Sequence, residues 1–271
     1  MTIKYFVKRF IFDNFLRPSR FSYYDSVINS LATAGYKFYT LEYLNREMIN
    51  NTFSGIQENN KICVIRHDID TDPKTATELA KIEAKYGAVS TYYYRLRTAD
   101  SRQMKIVAGL GHEVGYHYEE IGTCAKKKKL HTKEEIDNHM AYIQSDFLNN
   151  LNTFRNISSC PVNTIASHGD WVNADILNIP NKYLIDTSIR NKGKIDLEAY
   201  DDNFMQHVSC RISDLGGENI WFPTTLEDAL KSDPKFLYIL IHPRQWYTRY
   251  WDNIKEDTLR LFETIKYKLN I

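Results

Sequence analysis

The sequence predicts an α/β fold built around a parallel β-sheet. Short apolar runs rich in strand-forming residues alternate with segments of helical periodicity, and turn signals separate the two. Strands that alternate with helices are joined by crossovers, so neighbouring strands run parallel. No stretch rich in Pro, Gly or Ser divides the 271 residues. We therefore expect one domain over residues 1–271, in which 1–60 form a helical and extended N-terminal extension packed on the rest.

The first predicted unit is a strand, a helix and a second strand. Residues 61–65 form an apolar run typical of a buried strand. Asp72 is the expected N-cap of the helix, and Pro73 suits its first position. Gly87 marks the end of this helix, and the following strand over 89–94 is rich in Tyr and other strand formers. Together these segments predict a βαβ unit.

The same alternation continues towards the C-terminus. A helix over 102–110 ends at Gly111, and a strand follows over 112–118. Thr132 and Glu135 form a capping box ahead of a long amphipathic helix. The remaining predicted elements are helices over 24–34 and about 252–269, strands over 162–167, 183–188 and 236–241, and a strand that begins at His207.

Composition excludes several classes of protein. The 35 Lys and Arg against 34 Asp and Glu leave a net charge of +1, which argues against a nucleic-acid partner. A hydrophobic content of 43% excludes general disorder, and no apolar run is long enough for a transmembrane segment. The four cysteines form no C-x-x-C pair, and the charged N-terminus lacks the apolar core of a signal peptide. We therefore expect a cytoplasmic location.

Four of the predicted strands are followed by clusters of ionisable residues. In parallel α/β folds the carboxyl ends of the strands meet at one edge, and ligands bind there. A histidine in every cluster is more than packing requires, so we expect a functional site at this edge. The clusters are RHDID at 66–70, GHEVGYHYE at 111–119, SHGDW at 167–171 and IHPRQW at 241–246.

The first cluster contains two carboxylates that would lie side by side. Asp68 and Asp70 are two residues apart, so on a strand they face the same way. Two adjacent carboxylates repel each other, and a bound cation or a proton relieves the repulsion. A cation held by Asp and His with one position open for water is typical of catalytic zinc. The second carboxylate would then be free to act as a general base.

These clusters resemble motifs of the polysaccharide deacetylase superfamily, the nodulation-deacetylase homology group of carbohydrate esterases. The chain is most similar to a bacterial branch linked to surface-glycan genes, whose first motif reads R-H-D-[VI]-D. That branch also carries T-Y-[YF]-[YF]-R, matched by 91–95, and G-H-E-[VI]-G-Y-H-Y-E, matched by 111–119. A late I-H-P-x-x-W matches 241–246. The resemblance covers about residues 20–268 and implies a distorted (β/α) barrel of about seven parallel strands.

The resemblance implies a catalytic centre with a divalent metal, zinc being the first choice. Asp68 matches the catalytic base, and Asp70 matches a metal ligand. His117 matches the first histidine of the family's metal-binding pair, and His242 matches the general acid that protonates the leaving amine.

The chain departs from the family pattern at the second metal-binding histidine. Ile121 occupies that position, four residues after His117. Glu119, two residues after His117 and on its side of the strand, could take the place. His168, from the neighbouring strand, could also do so, and we favour His168.

Other residues near the motifs are candidates to contact a sugar or glycan substrate. Asp186 is a candidate to orient an imidazole from outside the ligand shell. Arg66 could meet an anionic substrate group or pair with a neighbouring carboxylate. The candidate substrate-binding residues are Arg66, Tyr118, Glu119, Trp171 and Trp246.

Two functions follow from this pattern. The first is a metal-dependent hydrolase that removes an N-acyl group, N-acetyl in the first instance, from a sugar or glycan precursor in bacterial surface-polysaccharide (lipopolysaccharide) biosynthesis. The alternative is a catalytically weakened, deacetylase-like protein that binds glycans or acts as a scaffold. The missing second histidine motivates the alternative.

Overall fold

The computed structural model describes residues 12, 15, 17–179, 181–215 and 220–269. Among these residues eight strands form one sheet, and every paired strand runs parallel to its neighbour. The strands are β1 (Tyr36–Phe38), β2 (Lys61–Ile69), β3 (Thr91–Tyr94), β4 (Glu113–Tyr118), β5 (Thr164–Ser167), β6 (Leu197–Glu198), β7 (Cys210–Ser213) and β8 (Phe236–Ile241).

Seven strands form a continuous path in the order β6-β5-β4-β3-β2-β8-β7, and β1 pairs with the first residues of β2. The path curls into a half barrel that helices surround, which confirms the predicted distorted barrel of about seven parallel strands. The helices are α1 (Phe21–Thr33), α2 (Leu41–Ile49), α3 (Phe53–Asn59), α4 (Pro73–Lys85), α5 (Ser101–Gly109), α6 (Glu120–Lys128), α7 (Lys133–Ser158), α8 (Thr187–Gly193), α9 (Asp202–Met205), α10 (Leu226–Lys231) and α11 (Tyr250–Leu269).

Strand β2 is the centre of the fold. It pairs with β8 on one side and with β3 on the other, and both of its faces are buried. A strand that is covered on both faces has apolar side chains at consecutive positions, which explains why all of Ile62–Ile65 are apolar. The polar residues at its carboxyl end are buried as well, so each of them needs a partner inside the protein.

The predicted helix signals are confirmed. The Asp72 side chain accepts a hydrogen bond from the Thr75 backbone N–H, and Pro73 is the first residue of α4. Thr132 and Glu135 form the expected capping box at the start of α7. These residues satisfy backbone N–H groups that have no partner inside the helix.

The predicted strand over 183–188 is wrong. Asn181–Leu184 form a short 3₁₀ helix, and the Asp186 side chain accepts from the Ile189 backbone N–H as the N-cap of α8. The sequence Asp-Thr-Ser suits a helix cap better than a strand, because its side-chain oxygens bond to nearby backbone N–H groups.

Strand β6 was not predicted, because it has only two residues. The strand predicted to begin at His207 is found as β7, which starts three residues later at Cys210. The first eleven residues of the predicted N-terminal extension lie outside the described residues. Over the part of the chain that is described, none of the helices combines the length and apolar character needed to cross a bilayer.

Candidate active site

A cavity of about 700 Å³ opens at the carboxyl ends of the central strands. Asp68 and Asp70 reach it from the end of β2, His117 from β4, His168 from the residue after β5 and His242 from the residue after β8. Helix α11 borders the other side of the cavity. The four motifs therefore meet at one edge of the sheet, as the strand order requires.

Three of these side chains form a candidate metal site. The ligand atoms of Asp70, His117 and His168 all lie within 4.8 Å of one another. Asp70 Oδ1 is 3.0 Å from His168 Nδ1 and 3.4 Å from His117 Nε2, and the two imidazole nitrogens are 3.2 Å apart. Two imidazoles and one carboxylate with the cavity on the open side match the donor set of a catalytic divalent-metal site.

The local hydrogen bonds indicate that these residues fit a cation. Asp70 Oδ1 is buried, and no aligned hydrogen bond reaches it in the described part of the chain, although two imidazole nitrogens are close. His117 Nδ1–H donates to the Ala166 carbonyl at 2.9 Å, which directs Nε2 of the same ring into the site. Fixing the ring of a histidine ligand in this way is a common feature of metal sites.

Burial and charge favour the protonation states that a metal requires. Burial would raise the pKa of Asp70, but His168 and His117 hold it well below its usual range, so the carboxylate is ionised. Burial lowers the pKa of His168, against the opposing effect of Asp70, which favours the neutral imidazole. Metal ligands must be deprotonated in this way.

Asp68 lies beside the candidate metal site but has a different partner. The Arg66 guanidinium donates from Nε to Asp68 Oδ1 at 2.7 Å and from Nη2 to Oδ2 at 2.8 Å. Burial would raise the pKa of Asp68, yet Arg66, His117 and His242 keep it below its ordinary value. Asp68 is therefore an oriented carboxylate 3.5 Å from His117 Nε2.

His242 lies on another side of the cavity and is held by a carboxylate. Its Nδ1 is 2.7 Å from Asp214 Oδ1, and its backbone N–H donates to Asp214 Oδ2 at 2.6 Å. Burial would lower the pKa of His242, but Asp214, together with Asp70 and Asp68, raises it to about 9. The imidazole is therefore protonated at neutral pH and able to donate a proton from Nε2.

Asp214 was not identified from the sequence. It follows β7 directly, so its signal was the same one that revealed the other site residues: a carboxylate at the end of a strand. The strand from His207 was predicted without an end point, so this residue was not placed at the edge of the sheet. Arg260 of α11 also lines the cavity and was missed, since a helix in sequence gives no indication of the cavity it will face.

Asp186 does not orient an imidazole. Its carboxylate caps α8 and accepts a hydrogen bond from Gln144 at 3.0 Å. It does not line the cavity. This corrects the prediction, and Asp214 occupies the position that had been expected for Asp186.

Three predicted substrate contacts are corrected by burial. Arg66 has no exposed surface and pairs with Asp68, which was the alternative that the sequence left open. Trp246 is also fully buried, and its indole N–H donates to Asp214 at 2.9 Å. Tyr118 is buried with its hydroxyl against Glu198. All three lie behind the cavity wall rather than in it.

Glu119 does not join the metal site either. Its carboxylate pairs with the Arg95 guanidinium, where Nε donates to Oε1 at 3.1 Å. Burial would raise its pKa, but Arg95 lowers it to about 2. Of the two candidates for the third ligand, the structure therefore brings His168 to the site. Glu119 is engaged by Arg95, which corrects its prediction as a ligand and as a substrate contact. Trp171 lines the cavity, and its contact with a sugar stays a prediction.

Two motif histidines lie on the opposite face of the sheet. His67 Nε2 is 2.7 Å from Glu83 Oε1 on α4, and His112 Nδ1 is 3.5 Å from Glu83 Oε2. The hydroxyls of Tyr24 and Tyr92 also donate to Glu83. This buried cluster gives Nε2 of His67 a charged partner on the helix side of β2, and it lies apart from the cavity.

No protein-family model matches the chain, and no curated protein matches it. Solved structures that are similar include a CE4 esterase from Streptococcus mutans, with 14% identity and a TM-score of 0.46 over 85% of this chain and 88% of that chain. The peptidoglycan deacetylase PdaC from Bacillus subtilis has 13% identity and a TM-score of 0.40, over 76% and 85%.

A third similar structure is a CE4 family pseudoenzyme from Bacillus anthracis. It has 12% identity and a TM-score of 0.41 over 78% of this chain and 62% of that chain. Because the TM-scores are below 0.5, the likeness carries no argument about activity, and the function is inferred from the site itself.

Proposed function

We propose that the protein is a metal-dependent N-deacetylase that acts on a sugar or glycan precursor. One observation carries the proposal: a candidate metal site, a carboxylate and a protonated imidazole all face one cavity. Asp70, His117 and His168 would hold the cation. Zinc suits this set of two nitrogen ligands and one oxygen ligand.

A divalent cation bound there would act as a Lewis acid on the amide carbonyl and would acidify water. Asp68 accepts the proton that the attacking water loses, because it is ionised and fixed by Arg66. His242 donates a proton to the nitrogen of the leaving amine, because Asp214 keeps its imidazole protonated. The base and the acid therefore belong to different strands and are oriented by different partners.

The substrate is proposed from the motifs and from the cavity. Trp171 is an aromatic residue at the cavity wall on which a sugar ring could stack. The resemblance of the motifs to a branch linked to surface-glycan genes supports a role in bacterial surface-polysaccharide biosynthesis, inside the cell. All four cysteines are free, in keeping with that location.

The alternative function, a weakened glycan-binding or scaffold protein, was motivated by Ile121. His168 supplies an imidazole to the site that lacks the second motif histidine. The imidazole of His168 supports the hydrolase over the alternative, because it offers a third ligand where Ile121 replaces the motif histidine.

The test is metal-dependent release of acetate from N-acetylated amino sugars. Protein stripped with a chelator should lose the activity, and stoichiometric zinc should restore it. Asp68→Asn should release acetate at least about a hundredfold more slowly while still binding zinc. Lys105→Gln on α5 is a matched surface control that should stay active. Zinc binding without acetate release from any N-acyl sugar would contradict the proposed reaction.

A further inference from the structure

Helix α11 exposes seven large apolar side chains, and five of them lie towards one face. Trp251 is 84% exposed, Leu269 63%, Phe262 58%, Leu261 54% and Ile265 41%. A single exposed leucine needs no explanation, but five such residues on one helix leave a large apolar surface in water. We call these five residues the α11 stripe.

The α11 stripe lies along one face of the helix. Trp251, Phe262 and Leu269 are separated by about three and then about two full turns, so they point in nearly the same direction. Leu261 and Ile265 adjoin this line on one side. The stripe extends over roughly 27 Å of helix.

The opposite face fixes the helix to the protein. Glu256 accepts hydrogen bonds from Arg95 and Arg97, both at 2.9 Å. The buried Tyr267 donates its hydroxyl to the Leu130 carbonyl. With these contacts holding α11, the α11 stripe must face outwards.

The charges nearest to the α11 stripe on either side are positive, and Asp257, next to Lys268 around the helix, is paired with Arg244. Helical spacing places Lys255 and Lys266 along one border and Lys268 along the other, and all three are exposed. An apolar face bordered by lysines is typical of helices that lie in the interface of a membrane, where the lysines reach anionic headgroups.

The α11 stripe is continuous with the candidate active site. Leu261 belongs to the stripe and also lines the cavity, together with its neighbours Arg260 and Thr264. A surface that covers the α11 stripe therefore lies next to the opening of the cavity.

We propose that the α11 stripe binds the surface of an anionic membrane and thereby holds the cavity at the lipid headgroups. A second copy of the chain is the main competing occupant. Two stripes packed face to face would bring the lysines that border both helices close together, and these positive charges would repel each other. A membrane with negative headgroups instead attracts both borders.

The test is sedimentation of the full chain with vesicles. We expect binding to phosphatidylcholine vesicles that contain phosphatidylglycerol, and at least about tenfold weaker binding to phosphatidylcholine alone. The double variant Trp251→Ser/Phe262→Ser should weaken binding at least about tenfold. Leu259→Ser is the matched control, because Leu259 is 43% exposed on α11 but lies beyond the lysine border; it should bind as the unchanged chain does.

Light scattering in solution completes the test. A monomer that binds anionic vesicles through the α11 stripe supports the proposal. A dimer that Trp251→Ser/Phe262→Ser dissociates, or vesicle binding that this variant leaves unchanged, overturns it. Vesicle binding needs no turnover, so its loss is distinguishable from a failure of the proposed deacetylation.

Discussion

Replacing Asp214 by Asn should move the pKa of His242 back towards that of an ordinary histidine. Asp214 accepts from the imidazole and from the backbone N–H of His242, and it also accepts from the Trp246 indole. Asn keeps the size but has one acceptor oxygen in place of two, so the substitution removes the negative charge and at least one of these hydrogen bonds. Asp68 and Asp70 are the other acidic groups that act on His242.

The magnitude follows from the value for the unchanged protein. Burial opposes the charged imidazole, but Asp214 raises the pKa of His242 to about 9. The ordinary value is about 6.5, and each tenfold change in proton affinity corresponds to about 1.4 kcal/mol, so the environment favours the imidazolium by about 3 kcal/mol. Without the charge on Asp214 we expect a pKa near 7 or below, since burial remains.

The direct assay is an NMR titration of the His242 ring protons, which requires no substrate. The unchanged protein should titrate near pH 9, and Asp214→Asn should titrate near or below pH 7. Because the pKa is raised in the folded state, its contribution to stability is present below about pH 6.5 and is lost as the pH rises through about 9. A midpoint near 6.5 in the unchanged protein, or one that Asp214→Asn does not move, would refute the reasoning.

Three further predictions concern the site and the sheet. His168→Ala should weaken zinc binding at least about a hundredfold in a calorimetric titration, whereas Glu119→Gln should keep it, because Glu119 is not among the three site ligands. Asp68→Asn should lower the rate of acetate release about 10²–10⁴-fold without loss of metal, as measured by elemental analysis; an unchanged rate would remove Asp68 as the base. Gly115→Ala should lower the free energy of unfolding, measured by urea denaturation, by about 1–3 kcal/mol, because a methyl group there overlaps an aromatic ring of β3. In the control Gly109→Ala the methyl group meets nothing within 4 Å, so the free energy of unfolding should not fall.

The sequence was most informative where one local pattern determined the structure. The apolar run of β2 identified the central strand, and Asp68 and Asp70, two residues apart at its end, both reach the cavity. Because parallel strands end at the same edge of the sheet, the residues at four strand ends could be placed near one another before any distance between them was known. His117 and His168 therefore could be assigned to one site, although they are far apart in the chain.

The sequence was least informative where partners come from distant segments. Arg66 and Trp246 lie within motifs and carry groups suited to substrate binding, yet both side chains are buried. Arg66 donates its hydrogen bonds to Asp68, and Trp246 donates to Asp214. Side-chain direction on a strand alternates, but the packing behind it decides whether a residue meets solvent. Short strands such as β7 carry too little pattern to show where they end, which is why Asp214 was missed.

The most direct test of the account is anomalous diffraction at the zinc edge from crystals grown with zinc. We predict one strong peak in the cavity, within bonding distance of Asp70 Oδ1, His117 Nε2 and His168 Nδ1. A cavity without a peak under saturating zinc, or a peak ligated by other residues, would contradict the metal site on which the proposed deacetylation depends.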